Sequence, residues 1–150
     1  MKPAITVCDD VTLIILQNIP ANMDFVTEVF EKIAAMETDV DMISLTPPHS
    51  SMTSLSFTVS DDDLVKILGY TSKLNEGSIK PIVSSGNCKI SVSDPGMENC
   101  PGVAARVFKM AAQAGADIRL ITTSETQIAL LVPKSDCDAT FEAIKIGFDE

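Results

Sequence analysis

The spacing of apolar positions along the chain switches repeatedly between two and three-to-four residues, the periods of strand and helix. Val11-Thr12-Leu13-Ile14-Ile15-Leu16 reads as a buried strand, and Phe25, Val26, Val29, Phe30, Ile33 and Met36 then mark one face of a helix. Val40 to Leu45 reads as a strand, and Pro47-Pro48 with the serine-rich stretch after it as a loop. Ser54-Leu55-Ser56-Phe57-Thr58-Val59 alternates apolar with hydroxyl residues, as a half-exposed strand does. Leu64, Ile67 and Leu68 predict a second helix.

The same order then recurs. Lys89 to Val92 reads as a strand, and Val103, Val107, Met110, Ala111 and Ala114 line a helix that Gly115 ends as a C-cap. Asp117 to Ile121 and Gln127 to Val132 are predicted strands, and Phe141, Ile144 and Phe148 mark a closing helix. Ala4 to Val7 and Lys80 to Val83 supply strand material before and between the repeats. The second helix of each half opens on Ser-x-x-Asp, at Ser60 to Asp63 and at Ser135 to Asp138. That is a capping pattern, with negative charge offsetting the helix dipole. The repeat of βαββα units predicts an α+β fold of two ferredoxin-like βαββαβ units, antiparallel sheets with helices on one face. Domain boundaries are expected at 11–84 and 85–150.

Composition narrows the classes of function. A chain of 150 residues suffices for one domain or two small ones. A net charge of −10 speaks against nucleic acid and anionic membrane as partners, since both need a basic face. The apolar run around Leu13 to Leu16 is too short to span a bilayer, and Met1-Lys2-Pro3-Ala4 lacks the apolar stretch of a signal peptide. Cys8, Cys88, Cys100 and Cys137 are scattered without a C-x-x-C, and read as buried small hydrophobes of a reducing cytoplasm. With His49 the only histidine, no metal site is expected. Gly86, Gly96 and Gly102 lie too far apart for a nucleotide loop, so no cofactor is expected. No nucleophile–base pair can be assembled, which leaves no catalytic residues and argues against an enzyme.

One stretch does suggest chemistry. Asn99-Cys100-Pro101-Gly102-Val103 opens a helix, and Leu120-Ile121-Thr122-Thr123-Ser124-Glu125 ends a strand in hydroxyls and a carboxylate. A helix mouth with glycine offers backbone N–H groups and partial positive charge to a small carboxylate, such as that of an amino acid.

Lys89-Ile90-Ser91-Val92, Gly96-Met97, Pro101-Gly102-Val103 and Ile118 through Glu125 to Ile128 stand in the order and spacing of the second ACT domain of aspartokinases, which this segment resembles. The first half is similar to the first ACT domain through Asn18-Ile19-Pro20, Glu28-Val29-Phe30 and Val40-Asp41-Met42-Ile43. The resemblance implies a tandem ACT module, a regulatory part that binds an end-product amino acid, lysine or threonine being usual, at interfaces between paired ACT domains. It implies a homodimer and a catalytic kinase partner, because the family's kinase domain is absent here. It also implies that strand 4–8 completes the sheet of the second domain.

Matched to the family, the ligand contacts would be Pro101, Gly102, Val103, Ile118, Thr123, Ser124 and Glu125 in the second half, and Asn22, Met23 and Asp41 in the first. The family's Pro-Gly falls on Met23-Asp24, where Asn22 or Asp24 is alternatively a helix cap. Asp41 matches an aspartate that meets the effector in lysine-sensitive relatives, or is a solvated residue at the sheet margin. The family's Gln-Asn pair falls on Leu45-Thr46. Arg119 occupies the position matching Asp41, where it repels an ammonium or pairs with Asp117 or Glu125. The expected function is a non-catalytic, cytoplasmic amino-acid-binding regulatory module. The alternatives are an ACT-pair docking subunit without ligand, or a separate regulatory subunit of an aspartokinase.

Overall fold

The computed structural model describes residues 1–47, 51–74, 77 and 79–149; Pro48, His49 and the serine after them, expected as loop, lie outside the described residues. Among the described residues six strands and four longer helices follow one another: β1 (Ala4–Pro20), α1 (Met23–Ala35), β2 (Ile43–Leu45), β3 (Met52–Ser60), α2 (Leu64–Leu74), β4 (Lys80–Ser93), α3 (Val103–Gln113), β5 (Leu120–Thr123), β6 (Gln127–Pro133) and α4 (Lys134–Asp149). The two stretches at each end of β1, read in sequence as separate strands, are one strand, and so are the two within β4. Polar residues interrupt the apolar pattern there. Within these strands the backbone turns through positive φ at Asp10 (58°) and at Gly86 (72°). Glycine meets that dihedral without a Cβ penalty.

These two residues coincide with the division of the chain. One compact unit, the N-terminal one, is Asp10–Ser85; the other, C-terminal, unit is Met1–Asp9 with Gly86–Glu150. β1 and β4 therefore contribute one segment to each unit. The hydrogen-bonded strand order is β2-β3-β1-β4 in the N-terminal unit and β1-β4-β6-β5 in the C-terminal unit. In the N-terminal unit the helices follow β1 and β3; in the C-terminal unit they follow β4 and β6, with the start of β1 as the fourth strand, so each is a ferredoxin-like α+β unit.

In the N-terminal unit β1 runs antiparallel to β3, with Ile14 opposite Phe57 and Leu16 opposite Leu55. The register shifts between Leu16 and Ile19, where Asn18 takes φ 61°, so a bulge ends the regular pairing. Ile14, Leu16, Ile19, Leu55, Phe57 and Val59 meet Val26, Val29 and Ile33 of α1 and Ile67 of α2 in one buried cluster. Leu68, expected on the apolar face of α2, is instead exposed, and Thr71 is buried beside Ile67. Burial, then the charge on Glu28, push the Tyr70 phenol above its ordinary value. The triple aspartate has a structural role: the Ser60 hydroxyl accepts from Asp62 N–H at 3.2 Å and opens a 3-10 turn into α2.

The C-terminal core gathers Cys88, Ile90 and Val92 of β4, Val107 and Ala111 of α3, Ile128, Leu130 and Val132 of β6, and Ile144 and Phe148 of α4. α3 stops as its sequence predicts: Gly115 takes φ 73° and Ala116 N–H returns to Ala111 O at 3.1 Å. Two expectations need correction. α4 begins at Lys134, so Ser135 lies inside the first turn rather than capping it, and Asp136 accepts from Asp117 N–H at 3.0 Å. The cysteines are not all buried thiols. Cys8 and Cys100 are exposed, whereas Cys88 and Cys137 are joined as a disulfide.

Candidate functional site

β4 leaves the sheet at Ser93, and the next residues are tightly turned. The Asp94 carboxylate accepts from Gly96 N–H at 2.7 Å, and Pro95–Met97 form a 3-10 turn. Cys100 N–H donates to Met97 O at 3.1 Å, with Asn99 at φ 62°. Buried Met97 and Val103 pin both ends of this loop to the core.

Gly102 is the N-cap of α3 at φ 93° and ψ −3°, and no side chain caps the helix there. A Cβ at Gly102 would meet nothing within 4 Å, so the dihedral and not the space selects glycine. The first helical bond runs from Arg106 N–H to Gly102 O at 3.1 Å. The N–H groups of the first turn therefore face outward with the positive end of the helix dipole.

The hairpin from β5 to β6 comes up beside this loop. Ser124 N–H donates to Gln127 O at 2.8 Å, and Thr126 N–H to the Ser124 hydroxyl at 3.4 Å. Asp94 N–H donates to Thr126 O at 3.0 Å, tying the hairpin to the loop. Together they frame an open pocket of about 490 Å³ lined by Met97, Glu98, Asn99, Cys100, Pro101 and Glu125. Two carboxylates line it, and no lysine or arginine does.

Of the residues expected in the second half, Pro101 and Glu125 line the pocket together. Gly102 is exposed at its helix, and Val103 is turned into the core. Ile118 packs against the core as well. Thr123 pairs with Ile128, and the Ser124 hydroxyl is used within the turn. Arg119 is paired with Asp117 at 2.9 Å and does not line the pocket. Glu98, Asn99 and Cys100 were not singled out as contacts, although they fill the gap between Gly96-Met97 and Pro101-Gly102.

The first half is built differently. The Asn22 side chain accepts from Phe25 N–H at 2.8 Å and caps α1, with Asp24 in the first turn. That helix mouth is already occupied by the protein's own groups. Met23 is 64 % exposed, and a cavity of about 210 Å³ beside it is lined by Asn22, Met23, Val26, Leu45, Thr46, Thr53 and Ala21. Asp41 is exposed, donates its N–H to Thr58 O at 3.1 Å, and does not line this cavity. Replacing Asn22 by alanine is expected to cost about 1 kcal/mol, read as a melting point lower by about 2–4 °C.

Among the described residues no helix is long and apolar enough to cross a membrane. Residues 90–148 match the ACT domain family. The aspartokinase of Bacillus sp. strain MGA3 is 27% identical over 145 residues, 94% of this chain and 35% of that protein. The chain spans about a third of the length of the curated relatives it matches. The crystal structure of the regulatory subunit of aspartate kinase from Thermus thermophilus, in ligand-free form, superposes with a TM-score of 0.88 at 28% identity, over 99% of both chains. A structure of aspartokinase alpha and beta subunits matches with a TM-score of 0.84 at 25% identity, over 97% of both chains. Residues 90–148 therefore carry an ACT domain, and the chain is similar along its length to the regulatory subunits of aspartate kinase.

Proposed function

We propose that this module binds a free amino acid at the C-terminal pocket and thereby regulates an aspartokinase, with no catalytic activity of its own. The observation that carries this reading is the uncapped mouth of α3 at Gly102, the residue after Pro101 of a pocket lined by Glu98 and Glu125. The ligand's carboxylate would meet the first-turn N–H groups, and its ammonium the glutamates. Two carboxylates in one pocket favour lysine, with its two ammonium groups, over threonine, with one. Calorimetric titration of the protein with lysine and with threonine tests this. Saturable heat with lysine at millimolar concentration or below is expected, and its absence with both amino acids would sink the reading. Glu125→Gln is expected to weaken lysine binding about tenfold, the loss of roughly one charge-assisted hydrogen bond.

Ligand-driven control requires an assembly with two arrangements that bind the ligand unequally. We infer a homodimer through the ACT units. Its support is the edge strand β2, which pairs with β3 and exposes Ile43 (50 %) and Leu45 (44 %). An exposed apolar edge strand is a template for pairing with another chain. Light scattering at micromolar concentration is expected to give twice the chain mass, and a monomer throughout would refute it. A second reading, a regulatory subunit acting on a kinase carried by another chain, is supported by the likeness to the structure of aspartokinase alpha and beta subunits. A docking module without ligand is the outcome if the dimer forms and no heat is seen.

A further inference from the structure

We propose that Cys88 and Cys137 are a reversible dithiol/disulfide pair, a site of oxidative modification that fastens α4 to the sheet of the C-terminal unit. The two residues sit on different elements, β4 and the first turn of α4, 49 positions apart in sequence, with Cα atoms 6.4 Å apart. That separation is within the range a disulfide spans. Cys88 is fully buried and Cys137 is 5 % exposed, so both belong to the core and exchange requires the first turn of α4 to open. Cys8 and Cys100 are exposed free thiols.

The position of the bridge gives it consequence. The covalent ring it closes, from Cys88 to Cys137, contains α3, β5, β6 and every residue lining the candidate pocket. Oxidation therefore restrains the whole pocket-bearing segment of the unfolded chain, and reduction releases it. The pairing holds whether or not that pocket takes an amino acid.

The co-reactant is a low-molecular-mass disulfide. The Cys137 sulfur, as thiolate, attacks one of its sulfurs, forming a mixed disulfide and expelling one thiolate. The Cys88 sulfur, having lost its proton, then attacks the Cys137 sulfur and expels the second. The protein loses two electrons and two protons, and the small disulfide becomes two thiols.

Asp9 places a carboxylate oxygen and both sulfurs within 4.8 Å of one another, so the reduced trio has the donor set for a soft divalent cation. The experiment must separate the two. The full chain carrying Cys8→Ser and Cys100→Ser is equilibrated with oxidised glutathione or with dithiothreitol, then denatured and alkylated. No alkylated cysteine is expected in the first case and both in the second. The oxidised form is expected to melt about 10 °C higher than the reduced form. Two alkylated cysteines after oxidised glutathione, equal melting points, or failure of dithiothreitol to reduce the native protein would each overturn the proposal. So would a reduced protein that retains one zinc per chain in equilibrium dialysis and loses it in Asp9→Ala. Because both redox states are compared in one chain, the result does not depend on a Cys88 variant that folds.

Discussion

Phe57→Ala is expected to destabilise the N-terminal unit by about 3–5 kcal/mol, the largest single loss available to a core truncation there. Phe57 is 1 % exposed and lies in the middle of β3, opposite Ile14 on one side and Ile43 on the other. Its ring meets Phe30 of α1 edge-on, with centroids 5.5 Å apart and planes at 65°. Truncation removes the buried ring, the aromatic contact and the bridge between sheet and helix at once. Urea unfolding followed by circular dichroism is the measurement. Phe57→Leu, which keeps most of the volume, is expected to lose less than half as much. A loss below about 1 kcal/mol for alanine would mean that the cluster is not the core of this unit.

Gly102→Val is expected to abolish measurable lysine binding, an effect of at least about tenfold, while leaving the dimer intact. At φ 93° a β-branched residue is strained whatever the surrounding space. The chain would relax by rotating Gly102, and the first-turn N–H groups of α3 would lose their shared direction. The stability cost is about 1–2 kcal/mol, the scale of a left-handed L residue. Gly102→Asn, whose side chain tolerates left-handed backbone, is expected to bind better than Gly102→Val. Unchanged lysine affinity in both variants would move the site away from the mouth of α3.

Much of this architecture was legible because local and tertiary demands coincide. Leu55, Phe57 and Val59 are buried as the alternation of β3 predicts, although Thr58 between them is buried too, and the face Val26, Val29, Ile33 is the face α1 buries. Two edge strands are shorter or later than the apolar pattern implies. Asp41 and Arg119 lie before β2 and β5, yet donate backbone N–H groups to Thr58 O and Leu131 O. Pairing thus begins before the regular ladder does. The continuity of β1 through Cys8, Asp9 and Asp10 could not be read from hydropathy, because the two aspartates interrupt the apolar pattern there. Nor could the Cys88–Cys137 pairing, since a separation of 49 carries no local signal. At the candidate site the motif located Pro101 and Glu125, which the Asp94 to Thr126 hydrogen bond brings together. Glu98 escaped because it falls between motifs.

The sharing of β1 and β4 predicts an order of maturation. Chain growth from the N-terminus supplies the whole of Asp10–Ser85 as one contiguous stretch, whereas the other unit needs both Met1–Asp9 and Gly86–Glu150. Before anything folds, joining Asp9 to Gly86 means closing a loop as long as the entire first unit, at a corresponding entropic cost. Once that unit has formed, Asp10 and Ser85 lie on the neighbouring strands β1 and β4, and the closure has already been made. Folding of the second unit is in this sense templated by the first. A lesion confined to residues 10–85 should therefore slow the maturation of a pocket with which it shares no side chain.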